Sequence, residues 1–90
     1  MDFQNKLAAL LVNALGANTD CHLETSTSGR VGGIVISPAF SGKSQHERQE
    51  LLWDELRVRL SKAEANNILA LLTLTPDELS DLDEEAAEPM

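Results

Sequence analysis

The 90-residue chain has no tyrosine, three aromatic residues in all (Phe3, Phe40 and Trp53), one cysteine and three prolines. So few aromatics leave an aliphatic interior and no platform on which bases could stack. A lone Cys21 excludes an internal disulfide and fits a reducing compartment. No apolar run is long enough to span a bilayer, and Met1-Asp2-Phe3 lacks the basic start of a signal peptide. These absences predict a soluble, cytoplasmic protein. A chain of this size buries roughly 60 to 65% of its unfolded surface, which is too little for a large enclosed active-site cavity. It also has no paired carboxylates, no nucleophile with its base and no His/Cys cluster, so no enzyme and no cofactor are expected.

Bases are missing from the end of the chain. Of fifteen acids, seven lie from Asp77 onward with no Lys or Arg among them, which leaves eight acids against seven bases in residues 1–76. The formal charge of −8 therefore belongs mainly to the C-terminus. Residues 1–80 are expected to form the domain, and residues 81–90 a solvated, flexible acidic tail.

Phe3, Leu7, Leu10, Leu11, Ala14 and Leu15 recur at helical spacing, with Gly16 as the stop. Cys21, Leu23 and Thr25 alternate with His22, Glu24 and Ser26, the period of a half-buried strand. The turn residues Thr27-Ser28-Gly29 lead into a second strand, Val31–Ile36, so the two form an antiparallel hairpin. Residues 45–60 read as a long helix with Leu52, Leu56, Leu60 and Ala63 as one stripe and Trp53 at its edge, broken by Asn66 and Asn67. Leu51 and Val58 stand on its other side among charges. In Ile68–Leu74 six of seven residues are apolar, the pattern of a strand covered on both faces. Thr75-Pro76-Asp77-Glu78 then opens a short last helix through Leu79 and Leu82 with a capping box and Pro at its first position. The order αββαβα, with a right-handed crossover, predicts a small α+β domain: a three-stranded mixed sheet with strand three parallel to strand two and helices on one face.

The most informative junction is Phe40-Ser41-Gly42-Lys43-Ser44, between the second strand and the long helix. Ser44 with Glu47 is a capping box. Gly42-Lys43-Ser44 is similar to the end of a phosphate-binding loop, but that motif's first glycine falls on Ser37 and no acidic residue ends a neighbouring strand to hold magnesium. A nucleotide hydrolase is disfavoured, and the junction reads as a helix cap.

Phe40-x-Gly42-Lys43-Ser44, Arg48 and Leu52-Trp53, followed by Ile68-Leu69-Ala70-Leu71 and Thr75-Pro76-Asp77-Glu78-Leu79, resemble the BolA family from the first helix to Leu79. The resemblance implies a fold like the type II KH domain. It also implies a role beside monothiol glutaredoxins in iron–sulfur handling, with some relatives tied to transcription and stress. In that family a histidine at the start of the third strand ligates the cluster, and a second ligand lies near the hairpin turn. The corresponding residues here are Asn67 and Arg30, and the family's terminal tryptophan is Leu79. Neither an amide nor a guanidinium replaces imidazole at iron. Cys21 and His22 are neighbours on a strand and point to opposite faces, and His46 lies in a first helical turn, so none substitutes. No metal site is expected.

Two binding readings remain. On strand three Leu69, Leu71 and Thr73 face one way and Ile68, Ala70, Leu72 and Leu74 the other, so Ile68, Leu72 and Leu74, with Leu51 and Val58, are expected to line a homodimer or partner interface. The protein then reads as a non-enzymatic adaptor whose partner is a protein such as a monothiol glutaredoxin. The alternative is a KH-like nucleic-acid module using Lys43, Arg48, Arg57, Arg59 and Lys62. Against it stand Glu47, Glu50, Asp54 and Glu55 on the same helix, the acidic C-terminus and the lack of a Gly-x-x-Gly clamp, so nucleic acid is disfavoured.

Overall fold

The computed structural model describes residues 3–87, with side chains through Asp81. Helix α1 (Phe3–Leu15) leads into strands β1 (Asp20–Thr25) and β2 (Val31–Ile36), and a 3-10 turn, Pro38–Phe40, connects β2 to helix α2 (Gln45–Arg59). A one-turn helix α3 (Lys62–Ala65), strand β3 (Ile68–Leu74) and helix α4 (Pro76–Ala87) follow. The sheet order is β1-β2-β3, with β1 antiparallel and β3 parallel to the central β2. No helix among the described residues is long and apolar enough to cross a membrane.

The core lies on one face of the sheet. Leu7 and Leu11 of α1 and Leu52, Leu56 and Leu60 along α2 meet Val31, Val35, Ile68, Leu71 and Phe40. The predicted stripes of both helices are therefore the packed ones, and burying such aliphatic side chains stabilises the fold by about 1.5 to 3 kcal/mol each. Trp53 and Leu51 are half-buried against this core, whereas Val58, beside the last residue of α2, is 84% exposed. Leu51 thus packs against the core, while Val58, two turns along the same side of α2, meets solvent.

Three expectations are corrected. The long helix does not run on to Ala63: it ends at Arg59, and Ser61 starts α3. Ser61 Oγ accepts from Glu64 N, Glu64 Oε1 accepts from Ser61 N, and this second capping box outcompetes continuation of α2. Ala63 is left exposed. The last helix is longer than expected, because Ala, Leu and Glu are good helix formers and Asp77 and Glu78 sit favourably at its positive end. It carries the acidic segment through Ala87; residues 88–90 of the expected tail lie outside the described residues.

The third correction concerns β3. Val31 pairs with Ile68, but Gly33 pairs with Leu71, so β3 spends three residues where β2 spends two. That bulge reverses the alternation. Ile68 (8% exposed) and Leu71 (3%) both face the core, while Leu69 (54%) and Leu72 (60%) are exposed.

Candidate functional site

The open face of the sheet is the surface that the helices α1 and α2 leave uncovered. On β2 it carries Gly32, Ile34 and Ile36, whose positions alternate with the buried Val31 and Val35. Leu72 lies beside Ile34 and Leu74 beside Ile36 across the parallel ladder; Asp20, His22 and Glu24 are their counterparts on β1. Leu74 and Ile34 are half-buried, and Ile36 is buried although it lies outside the main core cluster. The result is an apolar strip centred on Leu72 with a polar margin of Asp20, His22 and Glu24. His22 Nε2 is 3.1 Å from Asp20 Oδ2.

Of the five expected interface residues, only Leu72 and Leu74 share this strip. Ile68 belongs to the core, Leu51 packs against it, and Val58 is on the outer side of α2. Sequence reading missed Leu69 and Ile34. The signal was the Gly32-Gly33 pair: a Cβ on Gly32 would sit 3.1 Å from Ala70 O and 3.5 Å from Leu69 Cβ, which is the space the bulge uses.

The two positions that the resemblance assigns to cluster ligands do come together. Val31 N donates to Asn67 O at 2.8 Å, which sets Arg30 and Asn67 side by side at one end of the sheet. Both are exposed. The hairpin turn holds Arg30 by its backbone, through Ser26 N to Arg30 O at 2.7 Å and Arg30 N to Ser26 Oγ at 3.2 Å. A guanidinium has no lone pair to give iron and an amide is a poor donor, so these residues do not fit a cluster. Cys21 faces the helices, and burial, reinforced by Asp20, pushes its thiol pKa up, away from the thiolate a metal needs. His46 pairs with Glu50 on α2. Among the described residues no three His, Cys, Asp or Glu side chains converge as a metal site.

The Phe40–Ser44 junction uses its own donors. Phe40 N, Ser41 N and Lys43 N bond to Ser37 O, Pro38 O and Phe40 O, and Ser44 N bonds to Glu47 Oε1 at 2.9 Å. Ser37, fully buried, accepts from Thr19 Oγ1 at 2.9 Å and caps the 3-10 turn through Ala39 N. The cradle that would hold a phosphate is thus closed on itself.

The five basic residues of the nucleic-acid reading do not form a footprint. Arg48 is 6% exposed and bonds to Lys43 O, Thr73 O and Glu78 Oε1. It lies on the buried stripe of α2 with Leu52, Leu56 and Leu60, and is not a free cation of the helix surface. Arg57 pairs with Asp54 at 2.8 Å and Arg59 with Glu55 at 3.3 Å. Lys43 and Lys62 are exposed in the junction and on α3.

No protein-family model matches the sequence, and no curated protein matches it. Solved structures similar to it include a BolA protein homologue from Coxiella burnetii, 22% identical over 89% of this chain and 99% of that one, with a TM-score of 0.70. A Bol-like protein from Babesia bovis is 21% identical over 88% of this chain and 91% of that one, with a TM-score of 0.65. With identity this low, the likeness lies in the course of the backbone, four helices and a three-stranded mixed sheet. The chain has the BolA-like fold.

Proposed function

We propose that this protein is a non-enzymatic, cytoplasmic adaptor that works by protein contact through the open face of its sheet. The observation that carries the reading is Leu72, 60% exposed beside Ile34 in the middle of that face. An aliphatic strip with a polar margin loses apolar area to a partner at little cost in desolvated charge. The resemblance to the BolA family adds the partner class, a monothiol glutaredoxin, and with it a part in iron–sulfur, stress or transcriptional regulation. Arg30 and Asn67 confine that part to contact, because any metal ligands would come from the partner.

Mixing the purified chain with a purified monothiol glutaredoxin tests this. Co-elution on size exclusion with the native chain, and its loss with Leu72→Glu, is the expected result. Separate elution of native chain and glutaredoxin would end the glutaredoxin version. Sedimentation of the native chain alone checks the homodimer version, which a monomer at micromolar concentration rules out.

A further inference from the structure

The two edges of the sheet are finished differently. At the β3 edge, α2 lays side chains over the outward carbonyls: Gln49 Nε2 reaches Leu71 O at 2.9 Å, and Gln45 Nε2 and Arg48 Nη1 each reach Thr73 O at 3.3 Å. Thr73 Oγ1 in turn donates to Gln45 Oε1 at 2.8 Å. That edge cannot accept another strand without stripping these groups away.

At the β1 edge the register leaves a ladder open. Ser26 N donates to Arg30 O, so the pairs that exchange bonds with β2 are 24 with 32, 22 with 34 and 20 with 36. The backbone groups of Cys21, Leu23 and Thr25 therefore point outward. Gln4 of α1 covers part of this edge, its Nε2 donating to Leu23 O at 3.0 Å and its Oε1 accepting from Thr25 Oγ1 at 2.6 Å, and it leaves the outward N–H groups of Cys21, Leu23 and Thr25 uncovered. A groove runs along this edge, walled by Gln4, Asn5 and Ala8 of α1 and floored by β1. Glu24 projects beside it, exposed and without a partner among the described residues, one strand position from the Asp20–His22 pair.

The geometry points to the β1 edge as a strand-addition site that takes an extended segment of another protein carrying a basic side chain opposite Glu24. Outward N–H and C=O groups two residues apart recognise an extended backbone, and side chains flanking them supply the choice of sequence. The exposed acids along this margin, Asp20 and Glu24, attract a basic segment and repel the same edge of a second copy of this chain. This site is centred on β1 and its outward backbone, with Ile34 and Leu69 at its border toward the Leu72 strip, and it goes beyond the adaptor reading.

The test is a ¹⁵N chemical-shift titration of the full chain with two capped synthetic peptides, one of alternating Val and Lys and one of alternating Val and Glu. The Val-Lys peptide is expected to shift and protect the amides of Cys21, Leu23 and Thr25 while leaving Leu72 unmoved, with the Val-Glu peptide weaker. Thr25→Pro deletes an outward donor without touching the β2 ladder, and lowers Val-Lys affinity roughly tenfold. Glu24→Lys, an exposed change that carries the test if the proline variant does not fold, transfers preference to the Val-Glu peptide. No response up to about 1 mM, the weakest affinity such contacts should give, overturns the proposal. So does equal response to both peptides, a response centred on Leu72, or β1 shifts that grow with protein concentration alone, which would assign the edge to a second copy.

Discussion

Arg48 Nη1 lies 2.6 Å from Glu78 Oε1, and that oxygen also accepts the Thr75 backbone N–H at 2.8 Å. One carboxylate thus closes the capping box of α4 and neutralises a guanidinium buried between α2 and β3. The Arg48 guanidinium, followed by the Thr75 backbone N–H, lowers the Glu78 pKa from 4.5 to about 2.

Because the folded pKa is the depressed one, this contribution to stability is complete above the unfolded value and is lost as pH falls toward about 2. Glu47 and Glu64, lowered chiefly by the Ser44 backbone and by Lys6 respectively, act in the same direction. Urea midpoints measured from neutral pH downward should decline through this window, and Glu78→Gln should flatten part of the decline. Arg48→Ala should cost about 2 to 3 kcal/mol at neutral pH, since the carbonyl of Lys43 loses its charged donor and the stem leaves a gap.

The bulge in β3 makes neighbouring positions behave oppositely. Ile68→Ala and Leu71→Ala should each cost about 3 kcal/mol, whereas Leu72→Ala should stay within about 0.5 kcal/mol. Ala70→Glu should fold and Ile68→Glu should not, although simple alternation puts both on one face. A folded Ile68→Glu by circular dichroism would refute the bulge.

Gly33 has φ +154, and a Cβ there would lie 2.0 Å from His22 O and 2.9 Å from Leu23 Cα. Those are backbone atoms of the paired strand and cannot swing aside. Gly33→Ala is expected to cost about 4 kcal/mol or more. Gly29→Ala, at φ +87 with nothing within 4 Å, should cost only about 1 kcal/mol. Thermal melts of the two variants check the contrast.

Cys21 should alkylate slowly at neutral pH. Burial, then the nearby Asp20 charge, raises its pKa, so little thiolate is present to react. The rate should rise only in the alkaline range, and Asp20→Asn should move the profile to lower pH. Iodoacetamide labelling followed by mass spectrometry reads both.

Short-range chemistry was legible in the residues themselves. Ser44-x-x-Glu47 and Thr75-Pro76-x-Glu78 mark their helix starts because the capping partners are three residues apart and need nothing else. Ser61-x-x-Glu64 carries the same signal, although the Leu52, Leu56 and Leu60 stripe runs up to it without a break. The side-by-side placement of Arg30 and Asn67 follows from the resemblance together with the hairpin and crossover.

Local pattern thus specified the elements, their order and the helical faces that became the core, because caps and periodicity act within one or two turns of chain. The folded arrangement settled the rest. Which side of β3 Ile68 takes depends on Gly32 and Gly33 one strand away, whether Arg48 meets solvent or Glu78 depends on β3 ending beside α2, and the outward backbone of β1 exists because β3 pairs on the far side of β2. Each is a contact between residues distant in sequence, whose geometry no local period encodes.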